Sequence, residues 1–223
     1  TIYEKSKRVL AKVEISGGGR CNVTNSFNGI RDLKYAYPRG EKLMKRLFKV
    51  FNHQDAYIWF EENGVDLVTQ DDNCVFPKSQ DSHSIINCFL SQASKMKINI
   101  RKECKVSLDN NTAETADNRI TLHIKTESGK EETKTYDAVA ITTGGSPKKE
   151  GLEWMEKLGH KIIQPVPSLF TFNIKCQQLR ELMGTVVENT IASIPATKFR
   201  SQGPTLITHW GMSGPAILKL SSY

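Results

Sequence analysis

The sequence predicts an α/β fold, with α+β character within this fragment, on three observations. Residues 41–62 and 81–95 place apolar side chains at helical spacing. Residues 98–124 alternate apolar and polar side chains, which is typical of a half-buried antiparallel sheet. Residues 137–142 form a continuous apolar run, as expected of a strand buried on both faces of a parallel sheet.

Three helices are predicted in the first half of the chain. The first spans residues 41–51, and a capping box at Asn52 and Asp55 starts the second, which ends at an Asn-Gly pair. Asp81 or Ser82 caps the third helix. The first helix is amphipathic, and the apolar face that we expect it to bury comprises Leu43, Met44, Leu47, Phe48 and Phe51. Trp59 and Phe60 on the second helix are interpreted as core residues rather than a ring-stacking platform.

Extended segments separate and follow these helices. Short strands are predicted at residues 65–68 and 75–77, and the alternating region, starting with Ile98 and Ile100, has turns at Asn110-Asn111 and Ser128-Gly129. Beyond a short helix at residues 151–158, a mostly β region begins at Leu169. Its predicted strands are residues 186–194 and 206–208, followed by a helix capped by Ser213 with Pro215 in its first turn.

The composition is that of a globular protein. The 223 residues are 38% hydrophobic and 25% charged, and no apolar run approaches the roughly 18 residues that span a bilayer. The sequence does not start like a signal peptide, and the five cysteines form no CxxC pair. We therefore expect a cytoplasmic protein with no membrane partner, no disulfide framework and no bound metal.

The net charge of +7 raises the possibility of a nucleic-acid partner. The lysines and arginines are interspersed with acids along the chain, and no recognised RNA or DNA motif occurs. We therefore expect no nucleic-acid partner. A basic nucleic-acid-binding domain is kept as an alternative.

The triple glycine at residues 17–19 is the most informative local motif. Glycine tolerates positive φ, so successive N–H groups can turn inward around an anion, and the Arg20 guanidinium adds donors suited to phosphate. The motif predicts a site for a phosphate-bearing cofactor, with a flexible surface loop as the alternative. A second glycine pair, in Thr143-Gly144-Gly145, follows the buried run where α/β folds place ligands; a tight turn is its alternative.

Several motifs in series resemble the BaiN-like and aminoacetone-oxidase-like family of FAD-dependent oxidoreductases. They are the run from Ser16 to Asn25 (SGGGRCNVTN), Val75-Phe76-Pro77, Thr143-Gly144-Gly145, Pro167-Ser168-Leu169, Thr208-His209 and Ser213-Gly214-Pro215. The resemblance covers nearly the whole chain. It implies a two-dinucleotide-binding FAD fold like that of glutathione reductase, interrupted by a β-rich inserted domain. Residues 1–167 would be part of the FAD domain, with a small β-meander, and residues 168–223 the start of the inserted domain.

The resemblance also implies which residues contact FAD. Glu4, at the end of a strand, would hold the adenosine ribose, and the strand of Lys105 and Val106 would contact adenine. The glycine loop would lie along the flavin and the pyrophosphate, and a turn at residues 143–145 would let the flavin pass close to the main chain. The implied cofactor-binding set is Glu4, Ser16, Gly17, Gly18, Gly19, Arg20, Cys21, Asn22, Val106, Thr143, Gly144 and Gly145.

The glycine loop is not itself the dinucleotide fingerprint, because Asn22 stands where GxGxxG needs its third glycine. The resemblance places the fingerprint upstream of Thr1, so the chain is expected to be an internal fragment. Such a fragment would be inactive alone and could self-associate as a homodimer. Cys21 has no partner cysteine in the loop, so a thiol packed against the flavin ring is expected rather than dithiol exchange. His209 receives no catalytic role.

The leading hypothesis is an FAD-dependent oxidoreductase that transfers hydride or electrons between the flavin and a small organic substrate, with NAD(P)H or oxygen as the second partner. The other alternative is a module that binds a nucleotide or phosphate without redox chemistry.

Overall fold

The computed structural model describes residues 1–108, 119–146 and 148–223. The chain divides into two compact units, one of residues 1–32 with 42–143 and the other of residues 33–41 with 144–223. The predicted turn at Asn110-Asn111 lies outside the described residues. None of the helices in the described ranges combines the length and apolarity that a membrane crossing requires.

Among its described residues, the first unit has four α-helices: α1 (Ala11–Ile15), α2 (Glu41–Leu47, in this unit from Lys42 onward), α3 (His53–Glu62) and α4 (His83–Lys95). The predicted capping box of α3 is confirmed. The Asn52 side chain accepts the backbone N–H groups of Gln54 and Asp55, and Asp55 Oδ2 accepts the Asn52 amide at 2.7 Å.

The prediction that the apolar face of the first helix is buried is wrong for three of its five residues. Leu43, Leu47 and Phe51 are 51%, 49% and 54% exposed, whereas Met44 and Phe48 are half-buried. Helical spacing places these side chains on one face, but only the part of that face that contacts the rest of the unit is shielded from solvent.

The described part of the first unit contains three small sheets. In the first sheet, strand β1 (Ile2–Tyr3) pairs parallel with β5 (Ile100–Arg101). The second is antiparallel and has the order β2 (Thr24–Asn25), β4 (Cys74–Pro77), β3 (Leu67–Thr69). The third is the predicted antiparallel meander of β6 (Cys104–Leu108), β7 (Ile120–Thr126) and β8 (Glu131–Tyr136). Ile100 is therefore not part of the antiparallel sheet, contrary to the prediction, because it pairs with Ile2. The Ser128-Gly129 turn is confirmed by the bond from the Gly129 amide to the Thr126 carbonyl, at 3.0 Å.

Two apolar clusters form the core of this unit. In the first, Trp59 and Phe60 pack against Phe89 with ring centroids 5.8 and 5.5 Å away, which confirms their interpretation as core residues. Its buried members are Cys21, Phe60, Val65, Leu67, Val75, Ile85 and Cys88. The second lies on the meander, where Cys104, Leu122 and Ile124 are buried and Tyr3 and Val106 pack against them.

The prediction of a buried strand at residues 137–142 is wrong in this structure. These residues form no strand, and Ile141 is 38% exposed. Apolar composition favours burial, but a parallel strand also needs neighbours that accept its backbone hydrogen bonds. No strand within the described residues pairs with this segment.

The second unit is mostly β, as the sequence predicts. Its antiparallel sheet has the order β10 (Val186–Ser193), β11 (Arg200–Thr208), β12 (Gly211–Ser213), β9 (Phe172–Asn173). Helices α5 (Glu153–Glu156) and α6 (Gln177–Arg180) are single turns, and α7 (Pro215–Ser221) buries Ala216, Ile217 and Leu220. Pro215 opens α7 as predicted, but Gly214, not Ser213, is the N-cap, because Ser213 is paired with Leu206 in the sheet.

Candidate functional site

The glycine loop has left-handed backbone at three successive positions. Gly17, Gly18 and Gly19 have φ values of 55°, 68° and 84°. A Cβ at Gly17 would lie 2.7 Å from the Asn22 nitrogen and 3.0 Å from Phe76 Cε1, whereas a Cβ at Gly18 would meet nothing within 4 Å. The loop therefore requires glycine at position 17, and the main chain at Gly18 is open to an approaching ligand.

The loop is held in place from both ends, which argues against the flexible-loop alternative. Ser16 Oγ donates to the Val13 carbonyl at 2.8 Å, and the Cys21 amide donates to the Ser16 carbonyl at 3.0 Å. From the start of α4, the amide of Ser82 donates to the Gly19 carbonyl and its hydroxyl to the Glu14 carbonyl, both at 2.9 Å.

Ser82 is only 1% exposed, so its two bonds are shielded from water. The sequence analysis considered Ser82 only as a possible helix cap. Ser82 occupies the N-cap position of α4 but makes no capping bond, and Asp81 Oδ1 instead accepts the His83 amide at 2.9 Å. The role of Ser82 in the glycine loop depends on its hydrogen bond to the Glu14 carbonyl, 68 residues away in the sequence, and no local sequence pattern indicates such a contact.

Arg20 is oriented by contacts from β4 and the residues that follow it. Its guanidinium lies 4.1 Å from the centroid of the Phe76 ring, and its Nη1 donates to Gln80 Oε1 at 3.1 Å. Gln80 is fixed in turn by a bond from its Nε2 to the Pro77 carbonyl at 3.1 Å. The Val75-Phe76-Pro77 motif thus positions the Arg20 side chain, a function that the sequence analysis did not assign to it.

Cys21 and Asn22 complete the loop with different environments. Cys21 is 8% exposed, has a φ of 60° and belongs to the first core cluster, whereas Asn22 is exposed. Core packing accounts for the thiol, and its contact with a flavin ring stays a prediction.

Glu4 follows β1 directly, as the sequence predicts. Its Oε1 accepts the Ser6 amide at 2.7 Å and the Ser6 hydroxyl at 2.6 Å. These bonds, with a smaller contribution from the charge of Lys12, lower the pKa of the Glu4 carboxyl. The result is an ionised carboxylate at the carboxyl end of a parallel strand, which suits hydrogen bonds from hydroxyl groups.

Val106 lies on β6, which the structure joins to the Glu4 segment. The Cys104 amide donates to the Glu4 carbonyl at 2.9 Å, and Val106 packs in the same cluster as Tyr3. The Tyr3 and Tyr136 hydroxyls lie 2.5 Å apart, and burial followed by this hydrogen bond raises the pKa of Tyr3 to about 12. The structure therefore brings together the two residues predicted for the adenosine end of the cofactor.

The glycine pair is placed differently. Thr143 belongs to the first unit, whereas Gly144 and Gly145 belong to the second. All three are exposed and lie outside helices and strands, and Gly144 has a φ of 77°. Their contact with the flavin stays a prediction.

Among the described residues, no group of three His, Cys, Asp or Glu side chains is placed to hold a metal ion.

A glycine loop with left-handed backbone and a parallel strand that ends in an acid are both features of proteins that bind dinucleotides. The family model described as "HI0933-like protein Rossmann domain" matches residues 1–215. The chain therefore belongs to this family of FAD-binding flavoproteins, which confirms the α/β fold class and the resemblance found in the sequence.

Relatives with curated names are similar over all of this chain. It is 24% identical to a ribosomal RNA dihydrouridine synthase of Haemophilus influenzae and 25% identical to that of Escherichia coli, covering 55% and 54% of their lengths. It is 19% identical to a 3-dehydro-bile acid delta(4,6)-reductase of Clostridium scindens, covering 53% of it. The chain thus spans about half the length of the curated relatives it matches.

Proposed function

We propose that the protein is an FAD-dependent reductase and that this chain supplies one wall of its cofactor site. The observation that carries the proposal is the glycine loop, which is left-handed at three positions, pinned by Ser82 and open at Gly18. Because an open main chain beside an oriented guanidinium suits a phosphate group, these residues fit FAD.

Each end of the cofactor has its own residues in this proposal. Arg20, Asn22 and the amides of residues 16–19 would hold the pyrophosphate and the flavin. Glu4 would accept hydrogen bonds from the ribose hydroxyls, and the main chain at Val106 would contact adenine. Thr143, Gly144 and Gly145 are proposed as flavin contacts on the family resemblance alone.

FAD, when bound, would supply the hydride chemistry. The residues of this chain would bind and orient it: the Arg20 guanidinium supplies positive charge, and hydrogen bonds from Ser82 hold the loop in its left-handed conformation.

The substrate proposed first is a small organic molecule with a conjugated carbon–carbon double bond, and NAD(P)H is proposed as the electron donor. The name of the Clostridium scindens relative describes reduction at such bonds in a bile acid. Oxygen as electron acceptor is the alternative to a second organic partner.

Ribosomal RNA is the second candidate substrate. The two dihydrouridine synthases act on it by name, and forming dihydrouridine also saturates a carbon–carbon double bond. The net charge of +7 favours a polyanionic substrate as well.

The test uses the full-length protein reconstituted with FAD. We expect a stoichiometric visible flavin absorbance that NAD(P)H bleaches, followed by reoxidation by either a conjugated enone or a uridine-containing rRNA fragment. A protein that stays colourless contradicts the proposal and favours the non-redox alternative. Arg20→Lys keeps the charge but not the planar fork, so we expect about tenfold weaker FAD binding, whereas the exposed control Arg31→Lys leaves it unchanged.

A further inference from the structure

The exposed side of α2 carries a stripe of four cations. Lys42, Lys45, Arg46 and Lys49 recur at positions i, i+3, i+4 and i+7, so their side chains share one face of a helix. All four residues are exposed. We call this set the basic stripe.

Helical winding continues beyond Leu47 and keeps Lys49 in line. The amide of Phe48 donates to the Met44 carbonyl at 2.8 Å, and the amides of Val50 and Phe51 donate to the Leu47 carbonyl at 2.9 and 3.0 Å. Over seven residues at 1.5 Å each, the basic stripe is about 10 Å long.

Packing on the other side of the helix sets the direction of the basic stripe. The Phe48 ring lies 5.5 Å from the Phe27 ring and 6.0 Å from the His53 ring, between centroids. Because this side is held against the first unit, the cations point away from it.

Most of the charge of the basic stripe is not neutralised by the protein. Lys45 pairs with Asp32 at 3.1 Å, but Lys42, Arg46 and Lys49 have no ion pair among the described residues. Residues 31–49 contain seven Lys and Arg against two acids, a net charge of +5 out of +7 for the whole chain. The positive charge is therefore concentrated, although the sequence analysis interpreted it as dispersed.

We propose that the basic stripe binds the phosphate backbone of RNA. Cations in a line on a convex helix suit a linear polyanion better than a small anion, which needs donors that converge in a concave site. Phe51, two residues beyond Lys49 and on the apolar side of the helix, is 54% exposed and offers a ring on which an unpaired base can stack. The proposal gives the RNA candidate of the proposed function its docking surface, and it opposes the expectation that the protein has no nucleic-acid partner.

An anionic membrane is the rival occupant, since a helix with basic and exposed apolar residues can also lie on lipid. Met44 and Phe48 are half-buried within the protein, however, which removes part of the apolar face that such a helix would insert. RNA needs only the cations and the exposed ring.

The experiment measures fluorescence anisotropy of a labelled, short single-stranded RNA with the full-length protein, between about 50 and 200 mM salt. The stripe variant is Lys42→Gln/Arg46→Gln/Lys49→Gln. We expect about tenfold weaker binding and a log–log salt slope that is shallower by about two, as for the loss of three phosphate contacts. The control Lys95→Gln/Lys102→Gln/Lys130→Gln removes the same charge from exposed positions elsewhere and should leave both quantities near those of the wild type.

Charge-preserving Lys42→Arg/Lys49→Arg should bind RNA like the wild type, which separates lost contacts from a misfolded helix. Equal losses in the stripe and control variants would overturn the proposal, as would an unchanged salt slope in the stripe variant. Wild-type binding to phosphatidylserine vesicles but not to RNA would overturn it in favour of the membrane.

Flavin absorbance of the same samples keeps the two proposals distinguishable. A colourless protein whose RNA binding depends on the stripe supports this inference and defeats the reductase proposal. A flavin-loaded protein whose RNA binding ignores the stripe defeats this inference alone.

Discussion

The two glycine motifs of the chain differ in how the rest of the molecule holds them. The loop at residues 17–19 is fixed by the buried Ser82, which bonds to the Gly19 and Glu14 carbonyls. Residues 143–145 have no hydrogen bond to other described residues and are exposed. Glycine thus permits a close approach in both motifs, but only a motif with tertiary contacts has a defined shape.

The largest effect should come from the clash at Gly17. Gly17→Ala introduces a Cβ 2.7 Å from the Asn22 nitrogen at a φ of 55°, so we expect the free energy of unfolding to fall by about 3 kcal/mol. The matched control Gly18→Ala has a similar φ of 68° but open space, and should lose only about 1 kcal/mol. Urea unfolding measures the free energy of unfolding of both variants. Equal losses would mean that the close approach of the Asn22 nitrogen at Gly17 does not affect stability.

A smaller effect is expected from the hydrogen bond that pins the loop. Ser82→Ala removes the donor to the Glu14 carbonyl at a site that is 1% exposed, which should cost about 1 to 2 kcal/mol. Ser91→Ala, at an exposed position of the same helix, serves as the control and should stay within about 0.5 kcal/mol of wild type. If Ser82→Ala lowered the free energy of unfolding no more than Ser91→Ala does, the stability of the loop would not depend on its contact with α4.

In the segment before the glycine pair, replacing an apolar side chain by a polar one should hardly change the free energy of unfolding. Ile141→Thr is expected to change the free energy of unfolding by less than about 0.5 kcal/mol, because Ile141 is 38% exposed and unpaired. Val75→Thr makes the same kind of change at a fully buried position of β4 and should cost about 1 to 3 kcal/mol. A large fall in the free energy of unfolding for Ile141→Thr, measured by thermal or urea unfolding, would support the prediction of a buried strand there.

The smallest effect concerns the charge of Glu4. Its pKa is lowered in the folded protein, so its contribution to stability is present above its ordinary value of 4.5 and is lost as the pH falls through the lower folded value. Glu4→Gln should therefore flatten the acid limb of the stability curve slightly. Glu62→Gln, on the exposed end of α3, removes the same charge and provides the comparison in urea unfolding at a series of acid pH values. Identical curves for wild type and Glu4→Gln would contradict the role of the Ser6 bonds.

Local sequence chemistry predicted the features that neighbouring residues control. The capping box of α3, the meander and the need for glycine in the loop depend on residues a few positions apart, so their patterns are legible in the chain. The family resemblance is also a property of sequence, and the match over residues 1–215 confirmed it.

Errors arose where the outcome depended on a distant partner. Ile100 joined β1 rather than the meander, and Ser213 entered a sheet rather than capping α7. In the candidate site, the sequence indicated Arg20 and Glu4 but not Ser82 and Gln80, the residues that fix the loop and the guanidinium.

Residue type and spacing predicted the α/β fold class and the places where the main chain must be bare, because side-chain size and backbone freedom are local quantities. The flavoprotein family was indicated by the resemblance of motifs in series and confirmed by the family match. Tertiary structure alone decided which glycine motif is held by hydrogen bonds to distant residues, whether residues 137–142 are buried and which side of α2 packs against the first unit. Burial and hydrogen-bond satisfaction depend on groups that are far apart in sequence, so they are settled only when the chain has folded.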